Sequence, residues 1–408
     1  MGSATINKAL WWAAPLMSRC SRSCMALCSP QPAHFHPVKE YNGHLGKAFV
    51  VSSGSKMKYS AIAKTAIAMP IPYLILLFVI AVAKIPIIIK FFAFHFSIFT
   101  FICTFAPTMT YEELWHRLTP IYDAGEAKAI ARWVLEERFG LSWADVLCGK
   151  VTELSADDQA ELEKIALRLE KGEPVQYIIG KADFCGRPFH VAPGVLIPRP
   201  ETEELCQWII SQEWSTANGQ RQTASCDILD IGTGSGCIAI TLALEIPEAK
   251  VTAWDISDDA LHIAAANAEA LGAKVAFEHR DILDAIPANA PTHSLSCPTL
   301  HSSWPVWDLI VSNPPYIQPQ ERDGMAKNVL DHEPQLALFA PADSPIIFYQ
   351  RIGDYAWRRL RPGGKLFFEL NPLTAEAVDR YLKGIGFEKT EIRKDQFGKN
   401  RFLKATKI

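Results

Sequence analysis

From residue 227 to the end of the chain, short apolar segments alternate with segments whose apolar residues recur at helical spacing. The runs CDILDI and KVTAWD are each followed directly by a helical pattern, over 237–245 and 258–271. Further strands are predicted at KVAFEHRD, WDLIVSN and GKLFFEL, and further helices at about 346–360 and 374–384. This alternation predicts an α/β fold, in which helices cover both faces of a mostly parallel sheet. The last two predicted strands, 387–393 and 400–405, are close enough to pair as a hairpin, so one edge should be antiparallel.

The segment before this region has helical patterns alone. Residues that typically cap helix starts recur there: Thr110 with Glu113, Asp123 with Glu126, Ser142, and Ser155 with Asp158. They predict a helical domain of four or five helices over 109–179. Residues 180–200 change to a two-residue period around Gly186 and then become proline-rich, which predicts a β-hairpin linker. The α/β domain would then cover 201–408.

The first 108 residues differ in composition from the rest. They contain ten Lys and Arg residues but a single acid, Glu40, and residues 69–107 are intensely apolar. Two interpretations stay open. Either the working protein starts at Met109 and the extension is a leader or a gene-model artefact, or 69–107 forms a real membrane segment. Without such a segment we expect a cytoplasmic location, because the scattered cysteines are typical of free thiols in a reducing compartment. We also expect the protein to be a monomer.

Charge and residue spacing exclude some kinds of site. Residues 109–408 carry 31 Lys and Arg residues against 43 Asp and Glu residues. An acidic balance argues against a broad phosphate-binding surface, so we expect no direct nucleic-acid partner. Because no His and Cys residues cluster at the spacing of a zinc site, we expect no metal.

The segment Asp230-Ile-Gly-Thr-Gly-Ser-Gly236 follows a predicted strand and opens a predicted helix. Glycines let a ligand approach the backbone closely, and the helix start offers free N–H groups. Asp255 ends the next strand, where an acid can bind ribose hydroxyls. Asp281 ends the third strand, where a carboxylate can accept an adenine amino group, and Ile282 can cover the ring. The turn has no Lys or Arg for phosphate, which favours S-adenosylmethionine over NAD or ATP.

The tetrapeptide Asn313-Pro-Pro-Tyr316 follows an apolar strand, at the end of the sheet where open α/β folds bind ligands. The two prolines restrict the backbone, so an Asn oxygen and a neighbouring carbonyl can accept both hydrogens of one planar NH₂ group. Tyr316 can stack on the group that is held. An amide nitrogen is a weak nucleophile, and two acceptors on its hydrogens would raise its electron density. This arrangement indicates nitrogen methylation.

The motifs DIGTGSG, SNPPY and PGVLIPRPETE together resemble the HemK/PrmC family, the peptide chain release factor N5-glutamine methyltransferases. The resemblance covers about residues 109–408. It implies a seven-stranded, Rossmann-like class I methyltransferase domain that follows a helical substrate-recognition domain. The implied substrate is the glutamine of the GGQ loop of class I release factors, and the implied cofactor is S-adenosylmethionine.

The resemblance also assigns roles to single residues. The methionine part of the cofactor would lie along Gly232, Thr233, Gly234, Ser235 and Gly236. Asp255 would hold the ribose, Asp281 and Ile282 would flank adenine, and Asn313 would also border the cofactor. The glutamine amide would be held by Asn313 and the Pro314 carbonyl, in a pocket shaped by Pro315 and Tyr316. Arg199 and Glu201 fall in the linker motif and would either order the site or form a structural ion pair.

The sequence departs from the family pattern in two places, and two other functions compete with glutamine methylation. The extension of 108 residues is foreign to the family pattern, and 285–306 reads as a longer surface insert. NPPY also occurs in adenine-N6 nucleic-acid methyltransferases, although these would require a basic recognition surface. A membrane-tethered, catalytically idle S-adenosylmethionine-binding module is the second rival. The isolated histidines, His116, His190, His262, His279 and His332, are expected to be structural rather than general bases.

Overall fold

The computed structural model of the chain describes residues 108–213, 225–246, 248–285 and 305–408. The basic and apolar extension up to residue 107 and nearly all of the insert at 285–306 lie outside these residues. Within the described ranges, no helix combines the length and the apolar character needed to cross a membrane.

The described chain begins with a group of short helices whose starts are capped by polar side chains. Its helices are α1 Tyr111–Leu118, α2 Ala124–Phe139, α3 Trp143–Leu147, α4 Ala156–Leu169 and α5 Val175–Ile179, with a 3-10 turn at Lys150–Glu153. Thr110, Asp123, Ser142 and Ser155 each accept a backbone N–H of the first turn, as the sequence predicts. The apolar stripe of α4, including Leu162 and Leu169, is fully buried in the core of this helical segment.

A β-hairpin follows, with β1 at Lys181–Phe184 and β2 at Arg187–His190. The two strands are antiparallel, and the rings of Phe184 and Phe189 meet edge to face with centroids 5.8 Å apart. Both rings are fully buried against the α/β core. The hairpin is also tied to the next helix, because Glu203 accepts the backbone N–H of Cys185 at 2.8 Å.

The remaining strands form one seven-stranded sheet in the order β5-β4-β3-β6-β7-β9-β8. They are β3 Cys226–Ile231, β4 Ala249–Asp255, β5 Val275–His279, β6 Trp307–Ser312, β7 Leu360–Glu369, β8 Glu388–Lys394 and β9 Asn400–Thr406. β9 is antiparallel to both β7 and β8, whereas the other neighbours are parallel. Strand order reverses between β3 and β6, and open α/β sheets bind ligands at the carboxyl end of such a point.

Helices cover both faces of this sheet. They are α6 Pro200–Glu213, α7 Cys237–Glu245, α8 Asp258–Leu271, α9 Lys327–His332, α10 Gln335–Leu338, α11 Ile347–Arg359 and α12 Ala375–Gly384. α6, α7 and α8 pack on one face, and α11 and α12 pack on the other. Side chains alternate along β7, so that Phe367 enters the first layer and Phe368 the second. The result is the class I methyltransferase architecture that the sequence predicts.

Two local features differ from the sequence prediction. β5 ends at His279, so Asp281 lies two residues beyond the strand rather than at its end. The carboxylate of Asp281 accepts the N–H of Leu283 at 2.8 Å, and this local turn ends the extended pairing. In addition, the segment after Asn313-Pro-Pro-Tyr316, which had no predicted structure, forms a 3-10 turn at Pro319–Gly324 and the short helices α9 and α10.

Candidate active site at the carboxyl ends of the strands

The glycine turn that follows β3 is held by backbone hydrogen bonds to the end of β4. The N–H groups of Gly232 and Thr233 donate to the carbonyl of Trp254 at 2.8 and 3.0 Å. The N–H of Gly234 donates to the Asp255 carboxylate at 2.8 Å. Gly236 then begins α7 in the left-handed region, with φ of 82°. The turn is therefore fixed before any ligand contacts it.

Asp255 supports the turn with one carboxylate oxygen and accepts the N–H of Ser257 with the other, at 3.0 Å. The cap of α8 is Ser257, which accepts the N–H of Ala260. Each carboxylate oxygen can accept more than one hydrogen bond. Asp255 can therefore hold the turn and still accept ribose hydroxyls.

Asp230 is a part of the turn that the sequence analysis quoted without giving it a role. It is fully buried at the end of β3 and accepts hydrogen bonds from the Thr233 hydroxyl at 2.7 Å and the Ala239 N–H at 3.2 Å. Burial raises the pKa of its carboxyl from 3.8 to about 7, and the two hydrogen bonds oppose that rise. The sequence signal that could have revealed this role of Asp230 is the position of an acid directly before a glycine turn.

We expect Asp230→Asn to flatten the pH dependence of stability. Because the folded-state pKa is raised, the stabilising contribution of Asp230 is complete below pH 3.8 and is lost as the pH rises toward about 7. Between pH 5 and pH 8 the wild type should lose about 3 kcal/mol of unfolding free energy through this group. Asn does not titrate, so urea unfolding of both proteins across this range isolates the difference. Parallel curves of unfolding free energy against pH for the two proteins would contradict a raised pKa at Asp230.

The turn also leaves room for a ligand. A Cβ placed on Gly232 or Gly234 would meet no atom within 4 Å, whereas one on Gly236 would collide with α7 and α8. Asp281 is partly buried, and Ile282, which is 8% exposed, belongs to the same apolar cluster as Ile231 and Trp254. Within the described residues, no group of three or more His, Cys, Asp or Glu side chains is placed to hold a metal ion. The residues present fit a ligand in which a nucleoside is joined to an amino acid, with the amino acid along the glycine turn.

The Asn313-Pro-Pro-Tyr316 segment leaves β6 beside this turn. The last residue of β6, Ser312, donates its hydroxyl to the carbonyl of Ile231 at 2.6 Å, which ties the ends of β6 and β3 together. Asn313 is partly buried, and its amide nitrogen donates to the Thr202 hydroxyl oxygen at 3.2 Å. The Asn-Pro-Pro-Tyr segment and the glycine turn therefore follow adjacent strand ends, at the same edge of the sheet.

Tyr316 is anchored at both its backbone and its side chain. Its hydroxyl donates to Glu369 at 3.0 Å, and its carbonyl accepts the Asn371 amide at 3.0 Å. Burial, and then the negative charge of Glu369, raise the pKa of the Tyr316 hydroxyl far above its ordinary value. Tyr316 therefore stays protonated, and its role in shaping the substrate pocket stays a prediction. Glu369 is fully buried, and the sequence analysis did not identify it.

The linker motif is fastened to the segment that follows the Asn-Pro-Pro-Tyr tetrapeptide. Arg199 forms an ion pair with Glu333 at 2.5 Å, and Glu333 also accepts the N–H of Ile197 at 3.2 Å. Glu333 is almost fully buried. Glu201 is also buried, and its Oε1 has no hydrogen-bond partner within the described chain.

The isolated histidines mostly contact backbone carbonyls. His190 lies 2.9 Å from the Gly180 oxygen, His279 lies 2.6 Å from the Ile256 oxygen, and His332 lies 3.4 Å from the Lys171 oxygen. His116 is exposed beside Glu112. Their structural role stays a prediction.

Comparisons with known proteins match both the helical segment and the α/β domain. Two family models match, the PrmC N-terminal domain over residues 116–180 and a methyltransferase domain over 222–314. A release factor glutamine methyltransferase of Bacteroides thetaiotaomicron is 44% identical over 290 residues, which is 71% of this chain and 96% of that protein. One from Flavobacterium psychrophilum is 36% identical over 288 residues, 71% of this chain and 94% of that protein. Among solved structures, a methyltransferase from Pyrococcus furiosus is 17% identical with a TM-score of 0.37, over 62% of this chain and 99% of that one.

Proposed function

Because this chain belongs to the family of release factor glutamine methyltransferases, we propose that it methylates the side-chain nitrogen, N5, of the glutamine in the GGQ motif of class I peptide chain release factors. The methyl donor is S-adenosylmethionine. The observation that supports the proposal is the hydrogen bond between Ser312 and Ile231, which joins the ends of the two strands that lead into the glycine turn and the Asn-Pro-Pro-Tyr segment. Methyl transfer requires donor and acceptor to meet at such a point.

The glycine turn and the neighbouring strand ends would hold the cofactor. Gly232 and Gly234 leave the space for its methionine part, and the Asp255 carboxylate, already fixed by two backbone N–H groups, would accept the ribose hydroxyls. Asp281 and Ile282 would border adenine. When bound, S-adenosylmethionine supplies a methyl group on a positively charged sulfur, which is open to attack by a weak nucleophile.

Asn313 and Pro314 would prepare the glutamine amide for reaction. The Asn313 side-chain oxygen and the Pro314 carbonyl would each accept one hydrogen of the substrate NH₂ group, which fixes its plane. Two acceptors increase the electron density on nitrogen and orient it toward the methyl carbon, so most of the rate would come from positioning and electrostatics. The proton released on methylation leaves the nitrogen after transfer. Pro315 and the partly buried ring of Tyr316 would exclude water.

The helical segment over 109–179 would recognise the release factor, with the 180–200 hairpin as linker and 201–408 as the methyltransferase domain. In this segment α1 and α4 are joined by the ion pairs of Arg117 with Glu163 and with Glu170, at 2.6 and 2.7 Å. Its surface therefore holds a defined shape for a protein partner. A release-factor substrate places the reaction in the cytoplasm, where translation ends.

The test uses the full chain, methyl-labelled S-adenosylmethionine and a purified class I release factor. Peptide mass spectrometry locates the label, and the expected result is one methyl group on the GGQ glutamine. A release factor with Asn in place of that glutamine serves as the matched control and should stay unlabelled. Duplex DNA in a parallel reaction covers the rival activity. Label on adenine, or on the control protein, would overturn the proposal.

A further inference from the structure

A buried carboxylate lies behind the Asn-Pro-Pro-Tyr segment. Glu369 ends β7, next to β6 in the sheet, and its side chain is fully buried. One of its oxygens accepts the hydroxyl of Thr202 at 2.7 Å, and the other accepts the hydroxyl of Tyr316 at 3.0 Å. Thr202, which is buried in the first turn of α6, in turn contacts the amide nitrogen of Asn313 at 3.2 Å. Two residues of the tetrapeptide are thus connected to one acid.

When Glu369 is ionised, the hydrogen bonds that connect Glu369, Thr202 and Asn313 have only one consistent assignment of donors and acceptors. An ionised carboxylate only accepts, so the single hydroxyl proton of Thr202 must point to Glu369. The Thr202 oxygen can then act toward Asn313 only as an acceptor, so Asn313 must present its NH₂ group there. The Asn313 oxygen is therefore turned to the opposite side of the planar amide.

Polar and charged groups surround the Glu369 carboxyl. Burial raises its pKa above the ordinary value, and the hydrogen bond from Thr202, the positive charge of Arg401 and the hydrogen bond from Tyr316 limit that rise without cancelling it. Arg401 is itself buried and paired with Asp395 at 3.2 Å. A second buried acid, Glu201, acts in the other direction.

We propose that Thr202 and Glu369 are positioning residues that fix the Asn313 amide with its oxygen toward the substrate. This inference rests on the proposed function, because it assigns the oxygen to one hydrogen of the glutamine NH₂ group. With no fixed orientation, Asn313 can rotate its NH₂ group into the pocket. This donor would then face the NH₂ group of the substrate glutamine, which is also a donor. Thr202 and Glu369 act through Asn313 and contact neither substrate nor cofactor.

Two matched pairs of variants test the hydroxyl of residue 202. Thr202→Val keeps the shape of the wild-type side chain without the hydroxyl, and Thr202→Ala differs from Thr202→Ser by one oxygen. We expect Val and Ala to lower kcat on the release factor about 10- to 100-fold, the scale of a misplaced reacting group. The Ser variant should stay within about threefold of the wild type, because its hydroxyl can repeat both hydrogen bonds. The KM and the Kd for S-adenosylmethionine should change less than about threefold, because Thr202 does not border the cofactor.

The outcomes separate the two proposals. If the wild-type chain leaves the release factor unlabelled, the proposed function fails and the positioning role fails with it. If the wild type is active but folded Val and Ala variants keep kcat within threefold, the positioning role alone is overturned. It is also overturned if Ser is as slow as Ala, or if the loss appears in cofactor Kd instead of kcat. Should the Val variant fail to fold, the Ser and Ala pair answers the same question.

Discussion

Asn313→Ala should reduce methyl transfer to the release factor by about a thousandfold, the loss that follows removal of one preorganised polar group at a reacting centre. Alanine cannot accept a hydrogen of the substrate amide, so the nitrogen would lose both its orientation and part of its electron density. The backbone should keep its course, since Ser312 still bonds to Ile231 and Tyr316 is still held by Glu369 and Asn371.

Single-turnover kinetics with saturating S-adenosylmethionine measure this loss, and equilibrium dialysis measures cofactor affinity. Because most of the proposed cofactor contacts come from the glycine turn, the Kd should rise less than about tenfold, a change of 1.4 kcal/mol. Tyr316→Phe serves as a comparison, because it keeps the ring and removes one hydrogen bond to Glu369 behind the amide, and it should lower the rate far less than Asn313→Ala. An Asn313→Ala enzyme with more than a tenth of the wild-type rate would show that the amide is held by other groups.

The fold follows closely from local sequence signals. Helix starts were predictable because a capping side chain and its backbone partner lie within three residues, as for Thr110 with Glu113. The sheet was predictable because apolar runs of fixed period alternate along the chain. β5 was predicted too long because the turn at Asp281 depends on a single side-chain hydrogen bond. Periodicity carries no signal for such a bond.

The interactions behind the site could not be predicted in the same way. Thr202 and Asn313 are 111 residues apart in sequence, and Arg199 and Glu333 are 134 apart. Motif reasoning finds groups that face a ligand, because their types and spacing follow from the chemistry. It does not find the buried partners of those groups, because Glu369 looks like any acid at a strand end until the sheet places β7 beside β6. The buried acids Asp230, Glu333 and Glu369 are known only from the structure.

Gly236→Ala should destabilise the protein by about 3 kcal/mol, the sum of a left-handed backbone with a Cβ and of overpacking. Gly236 has φ of 82°, and a Cβ there would lie 2.8 Å from the Ile240 side chain and 3.0 Å from that of Ala264. Its backbone also approaches Ala264, with 3.3 Å between that Cβ and the Ala264 Cα. Ala264 cannot move away without shifting α8, because it is met at its Cβ and Cα, whereas Ile240 is met only at the terminal carbon of its side chain.

Gly234→Ala is the matched control, because it shares the positive φ, 56°, but a Cβ there would meet nothing within 4 Å. We expect it to lose only about 1 kcal/mol of stability, from the backbone conformation alone. Its Cβ would instead enter the space assigned to S-adenosylmethionine, so the Kd should rise tenfold or more, at least about 1.4 kcal/mol. Urea unfolding without cofactor and equilibrium dialysis measure the two effects separately. Equal destabilisation by both variants would contradict the close approach of α7 and α8. An unchanged Kd for Gly234→Ala would show that the cofactor does not bind along the glycine turn.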